Sequence, residues 1–281
     1  MPVEVAAHVH SGHGGIPVEA FLLLPFAVAA IAYLASAIRE QRTGRGWQMW
    51  RTAIWMAGLV AAALGFAGPL AAAAHGGFVA HVGVHVLVGM IAPLLLVYGA
   101  PATLALRTLA TVPARRLSRL LRSPLARFLT HPVVAALLNV GGLWVIHLTP
   151  LHGMMMQDPF LHLLVTAHFL IAGYLFTTAL VSVDPNPHRA GLALRATVLV
   201  LSLAAHGVLA KLLFVNPPAG VPAAQARDGA LLMFYGGDAV DLVLMVLLCA
   251  EWYRRSGRRL DSVGATVEVA EPAAASGERR G

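Results

Sequence analysis

Residues 81–101, "HVGVHVLVGMIAPLLLVYGAP", form an apolar run without Asp, Glu, Lys or Arg that opens on His81 and His85. A run of about 18 or more such residues crosses a hydrocarbon core of about 30 Å as a helix. Backbone polar groups in lipid must be satisfied within the segment, which selects helix over an open strand. The pattern recurs along the chain, at Pro17 to Ile38, Ala53 to Ala74, Val79 to Leu104, Val133 to Pro150, Phe160 to Val183, Ala196 to Val215 and Ala230 to Trp252. Composition agrees: of 281 residues 58% are hydrophobic and 12% charged, against about 25% charged in soluble domains. The mean hydropathy is +0.73. The expected fold is all-α, a polytopic membrane bundle of about seven transmembrane helices over residues 17–253. A His/Gly-rich tail, 1–16, precedes it, and a stretch without hydrophobic pattern, 254–281, reads as a disordered tail.

The formal net charge of +7 could suggest nucleic acid, but the charge is concentrated in alternate loops. Arg39, Arg42, Arg45 and Arg51 fill the first loop, and Arg107, Arg115, Arg116, Arg119, Arg122 and Arg127 the third. Arg189 and Arg195 lie in the fifth, and Arg254, Arg255, Arg258 and Arg259 follow the last span. The N-terminus and the second and fourth loops have no Lys or Arg, and the sixth has Arg227. By the positive-inside rule the N-terminus is outside and the C-terminus cytoplasmic. The basic balance is thus a topology signal and gives no support to a nucleic-acid partner. In the third loop Arg alternates with Leu at helical spacing, as in an interfacial helix on an anionic leaflet. Pro93 and Pro101 are expected to bend or end the third helix. Cys249 is the sole cysteine, which excludes an internal disulfide and any CxxC motif. The N-terminal stretch lacks the basic region of a cleaved signal peptide, so the first helix is expected to remain.

Depth within each span follows from a rise of about 1.5 Å per residue. His81, His85, His147, His162, His168, His206, Asp238 and Asp241 then fall in the outer half of the bilayer, with Lys211 at the same level. Ionisable groups inside membrane helices face one another or a wet cavity, so this convergence reads as a site. His81 and His85, four apart, share a helix face and suit one metal ion; Asp238 and Asp241 share another. His162 and His168 differ by about 120° around the helix, and the deeper His168 is the preferred ligand. Each feature also has a plainer reading. A lone histidine can be a hydrogen-bonded helix contact, Lys211 with Asp238 or Asp241 a structural ion pair, Met154, Met155 and Met156 a flexible apolar cap, and His8, His10 and His13 incidental in a tail. Imidazole with thioether and no thiolate favours copper. Imidazole with carboxylate also accommodates zinc or iron. "HVGVH" lacks the glutamate of HExxH, which disfavours hydrolysis.

These stretches, taken together, resemble the CtaG-type cytochrome c oxidase assembly factors. "HVGVHVLVGMIAPLLLVYGAPATLALR" is similar to that family's paired histidines followed by Ala-Pro and Gly-Ala-Pro. "THPVVAALLNVGGLWVIHLTPLH" resembles its His-Pro start and Trp-x-x-His end, and "PFLHLLVTAHFLIAGYLF" its following helix. "LMFYGGDAVDL" fits the acidic region near its last helices more loosely. The likeness spans Gly58 to Tyr253 and includes Trp144; Thr166 and Ala167 stand where an acidic residue is expected. It implies a factor maturing a haem-copper oxidase through copper delivery, with His81, His85, His147 and His168 matching the family's histidines and Asp238 its acidic position. His206 and Asp241 rest on depth alone.

The resulting expectation is a copper-binding, non-enzymatic assembly factor in the bacterial plasma membrane. His8, His10, His13, His152 and Met154, Met155, Met156 would capture the ion, and the intramembrane cluster would hold it. Oxidase subunits or other copper chaperones are the expected partners. A copper transporter and an intramembrane haem-binding electron carrier, with His85 and His168 as axial ligands, are the alternatives.

Overall fold

The computed structural model describes residues 18–181 and 183–277, and every regular element among them is helical. Helix α1 (Val18–Arg42) lies at the periphery, with Phe21, Val28 and Ile31 exposed, as suits side chains that meet lipid. Five helices are long and apolar enough to cross a membrane, or up to 7 if each of two bent pairs forms one span.

Both bent pairs have a local cause. In the second span α2 (Met49–Leu64) stops before Gly68, whose φ of 89° is a left-handed value that a side chain disfavours. Pro69 then opens α3 (Pro69–Gly76), tilted by 41°. In the fourth span α9 (Pro132–Ala136) passes through a π-helical turn, Leu137–Gly141, into α10 (Gly142–Leu148). Beyond Pro150 the chain turns by 83° into α11 (Leu151–Gln157). The uninterrupted fourth span expected from hydropathy therefore carries a short helix folded across its end.

The third span starts as α4 (Phe78–Val86), widens into a π turn at Leu87–Ile91 and continues as α5 (Ala92–Tyr98) and α6 (Pro101–Thr108). Pro93 was expected to bend or end this helix. The π turn absorbs it instead, since Pro93 offers no N–H to the Gly89 carbonyl four residues earlier. At Pro101 the helix does break. Ala100 has φ 50°, and Asp184 caps the new start by accepting from the N–H groups of Ala102 (3.0 Å) and Thr103 (2.7 Å) and from Thr103 Oγ1 (2.6 Å). The third loop forms α7 (Thr111–Leu121) and α8 (Pro124–Leu129), neither with a buried residue, as the alternation of Arg and Leu predicts.

Helix α12 (Pro159–Leu180) sits centrally, against α5, α9 and the first π turn. Helices α13 (Leu192–Val215) and α14 (Ala223–Gly277) pack on each other, and α14 also packs on α4. The helical run of α14 extends past Trp252, where the apolar pattern ends, to Gly277. At one end the core comprises Phe78, Val82, Leu143, Ile146, Phe169 and Met233. At the other it comprises Phe176, Leu180, Val198, Leu199, Leu244 and Leu248. The second end is closed by charge: fully buried Arg195 donates to the Leu180 carbonyl (2.7 Å) and pairs with Glu251 (2.8 Å), which also meets Arg189 and Arg255.

Candidate functional site

The bends at Gly68 and Pro150 bring α3 and α11 over the first-named core, and each carries a histidine. In α3, His75 Nδ1 lies 2.8 Å from the Ala71 carbonyl and must donate to it. That fixes the tautomer, so His75 Nε2 accepts from His162 Nδ1–H on α12, at 2.7 Å. The His162 ring is 5.8 Å from that of His81 on α4, centroid to centroid, and His81 is 5.2 Å from His152 on α11. His152 stacks at 5.9 Å on His147 of α10. His75, His162, His81, His152 and His147 thus form a continuous row, with Phe78 set edge-on to His147 and His152.

The row is short of hydrogen-bond partners. His147 Nδ1 donates to the Leu143 carbonyl at 2.9 Å, which leaves Nε2 as a lone pair. That nitrogen, His81 Nδ1 and His152 Nδ1 are buried and have no partner among the described residues. Each such atom costs about 1–3 kcal/mol if nothing meets it. His81, His85, His147 and His162 line one small cavity of about 30 Å³.

A second polar group lies deeper. His85, Asn139, Ser202, His206 and Asp241 line a separate cavity of about 20 Å³ flanked by both π turns. Both nitrogens of His85 and of His206 lack partners, as does Asn139 Oδ1. The Gly-Gly pair at 236–237 makes this packing feasible, because a Cβ at Gly237 would stand 2.2 Å from His206 Cε1.

The residues expected at one centre thus fall into two adjoining groups that meet at His85, which lines both cavities. His81 and His147 belong to the outer row with His152, while His85, His206 and Asp241 belong to the deeper group. Among the described residues no group of three or more His, Cys, Asp or Glu stands ready to hold one metal ion. His168 joins neither group: it is exposed, and its Nε2–H donates to the Leu138 carbonyl at 3.0 Å. Of the two histidines on α12 the row takes in His162 and not the preferred His168, because α3 and α11 converge on the His162 face of α12. Asp238 is half-buried. Lys211 is exposed and makes no ion pair among the described residues; its Nζ sits 5.4 Å over the Phe234 ring. The ion pair offered as the plainer reading of Lys211 is thus not formed among the described residues, since the lysine is exposed on α13. The Met run also splits, with Met155 buried and Met154 exposed, because successive residues of a helix face different ways. His8, His10 and His13 lie outside the described residues.

The family model for the cytochrome c oxidase caa3 assembly factor matches residues 31–255. The chain belongs to this family. The match includes every histidine of both groups, and all elements that position them. Among curated proteins, an uncharacterized protein of Mycobacterium leprae is 29% identical over 253 residues, covering 82% of this chain and 38% of its own length. Uncharacterized proteins of Mycobacterium bovis and Mycobacterium tuberculosis are each 35% identical over 171 residues, covering 58% of this chain and 26% of theirs. This assembly-factor chain thus spans well under half the length of these relatives. No solved structure matches it.

Proposed function

We propose that this caa3 assembly-factor family member holds copper as cargo in its outer imidazole row and passes it to a haem-copper oxidase, making and breaking no bond in a substrate. The observation behind this reading is the set of unpartnered buried nitrogens at His81, His147 and His152, at ring spacings of 5.2 and 5.9 Å. A metal–imidazole bond of about 2.0–2.1 Å places the ion about 3 Å from a ring centre, so two rings sharing an ion stand up to about 6 Å apart. Pairs at this spacing, without a ready-made set of three ligands among the described residues, suit a carrier that must release its ion. Exposed Met154 beside His152 adds the thioether that favours copper among metals taking imidazole. The loop-charge pattern supports a row that faces outward from a bacterial plasma membrane, where oxidase subunits or copper chaperones can reach it.

The two alternatives have less behind them. Phe176, Leu180, Leu199, Leu244 and Leu248 fill the space beyond the deeper group, and Glu251 past them is already held by Arg189, Arg195 and Arg255. His168 faces away from His85, and a cavity of about 30 Å³ is far below the several hundred that house an organic cofactor.

Metal analysis of the purified full chain tests the proposal. Wild type should carry copper, and His81→Ala/His152→Ala should lose most of it together with oxidase maturation in a deletion strain. Full copper and full maturation in that variant would falsify the reading.

A further inference from the structure

The imidazole row ends at two different openings. His147 and His152 line a groove of about 740 Å³ between α10–α11 and the segment after α13, together with Met154, Gln157 and Asn216. His75 and His162 line another cavity, of about 300 Å³, between α1, α3 and α12, together with Leu22, Phe66 and Phe160. The two share no lining residue. The small central cavity lies between them, walled by His147 on one side and His162 on the other.

Resting on the copper reading above, we propose that the row is a directional transfer line, loaded at His147 and His152 and emptied at His162 and His75 towards a membrane-embedded acceptor. Spacing allows it: successive ring separations of 5.9, 5.2, 5.8 and 4.1 Å all lie within the reach of about 6 Å for two imidazoles on one ion. On this proposal an ion passes from one pair to the next without being released, each ring turning a nitrogen towards it in sequence.

Direction follows from the unlike ends. His147 Nε2 is a free lone pair and His152 Nδ1 has no partner among the described residues, and the amide, thioether and asparagine side chains around them suit a donor arriving from water. At the far end the lone pair of His75 is already engaged by His162 Nδ1–H. To hold an ion there the pair must give up that hydrogen bond, and the His162 proton must move to its other nitrogen or the ring must turn. The terminal pair accordingly holds cargo less firmly than the first. Leu22, Phe66 and Phe160 at its rim present an apolar face, suited to an acceptor helix in lipid rather than to a soluble protein.

The test uses the full chain in lipid nanodiscs under anaerobic conditions. Copper(I) is supplied from a water-soluble sulfonated phenanthroline complex and withdrawn by the unsulfonated, bilayer-dissolved chelator, both followed by absorbance. His147→Ala/His152→Ala should lose the fast loading phase, whereas His75→Ala/His162→Ala should load as wild type and lose the fast unloading phase. His75→Gln/His162→Gln, which retains hydrogen-bonding groups but no imidazole, should repeat that result if the alanine pair fails to fold. Equal effects of both pairs on both phases, or no effect of the terminal pair on unloading, overturns the transfer line while leaving copper binding intact. A wild type that takes up no copper overturns the parent reading as well.

Discussion

Gly173 has no space for a side chain: a Cβ there would lie 2.1 Å from the Gly89 carbonyl oxygen and 2.8 Å from Pro93 Cγ. Gly173→Ala should therefore lower stability by about 1–3 kcal/mol or more, since overpacking moves backbone as well as side chains. Gly153→Ala, with nothing within 4 Å, should be close to neutral, and thermal unfolding of both variants in detergent checks the contrast. His168→Ala should keep the copper occupancy of the wild type, whereas His162→Ala should reduce delivery; metal analysis beside the unloading rate separates them. The sequence shows why His162 and His168 cannot serve one centre, because six residues turn a helix through about 240°, or 120° the short way. Choosing between them needs the neighbours of α12, which come from bends elsewhere in the chain. His75 carried a weaker signal still: in "AAAAHGGF" it reads as a loop histidine beyond the second span, and only the tilt of α3 brings it to His162.

Short elements position the outer row, and their ends are sites where a single residue has leverage. Asp184 caps α6 through bonds of 2.6 to 3.0 Å just after Ala100 has left helical geometry. Asp184→Ala should cost about 0.5–2 kcal/mol, read as a lower unfolding temperature with copper binding at the far end unchanged. Helix existence was legible from apolar runs, and so was the amphipathic α7. The break at Pro101 was legible too, but those at Gly68 and Pro150 were not. Hydropathy reads straight through Gly65–Pro69 because alanine, glycine and proline offer no charge to interrupt it, and Pro150 stands where a span of ordinary length would end anyway.

At the scale of the molecule, the two ends of the bundle differ in chemistry, imidazole at one and guanidinium at the other. If the histidine end faces outward, a cysteine placed at Ala219 in a Cys249→Ala background should react with a membrane-impermeant maleimide on intact spheroplasts. One placed at Arg255 should react only after lysis; the reverse pattern overturns the orientation. At the guanidinium end, Arg195→Met should destabilise by about 3 kcal/mol, the lower range for removing one member of a buried pair, because Glu251 retains Arg189 and Arg255. Arg255→Ala should change stability by no more than about 0.5 kcal/mol, as for a surface pair one helical turn apart. The fold class was readable from composition because lipid imposes one backbone solution on every long apolar run, whereas the partition of the histidines depends on which helices touch. The π turns at Leu87–Ile91 and Leu137–Gly141 have a bearing on kinship. Each fits one more residue into its helix than an unbroken α-helix of equal length would hold, the usual trace of a past insertion. Relatives that lack either wide turn should show a one-residue gap there, so His85 and Pro93 will match their counterparts only when that gap is allowed.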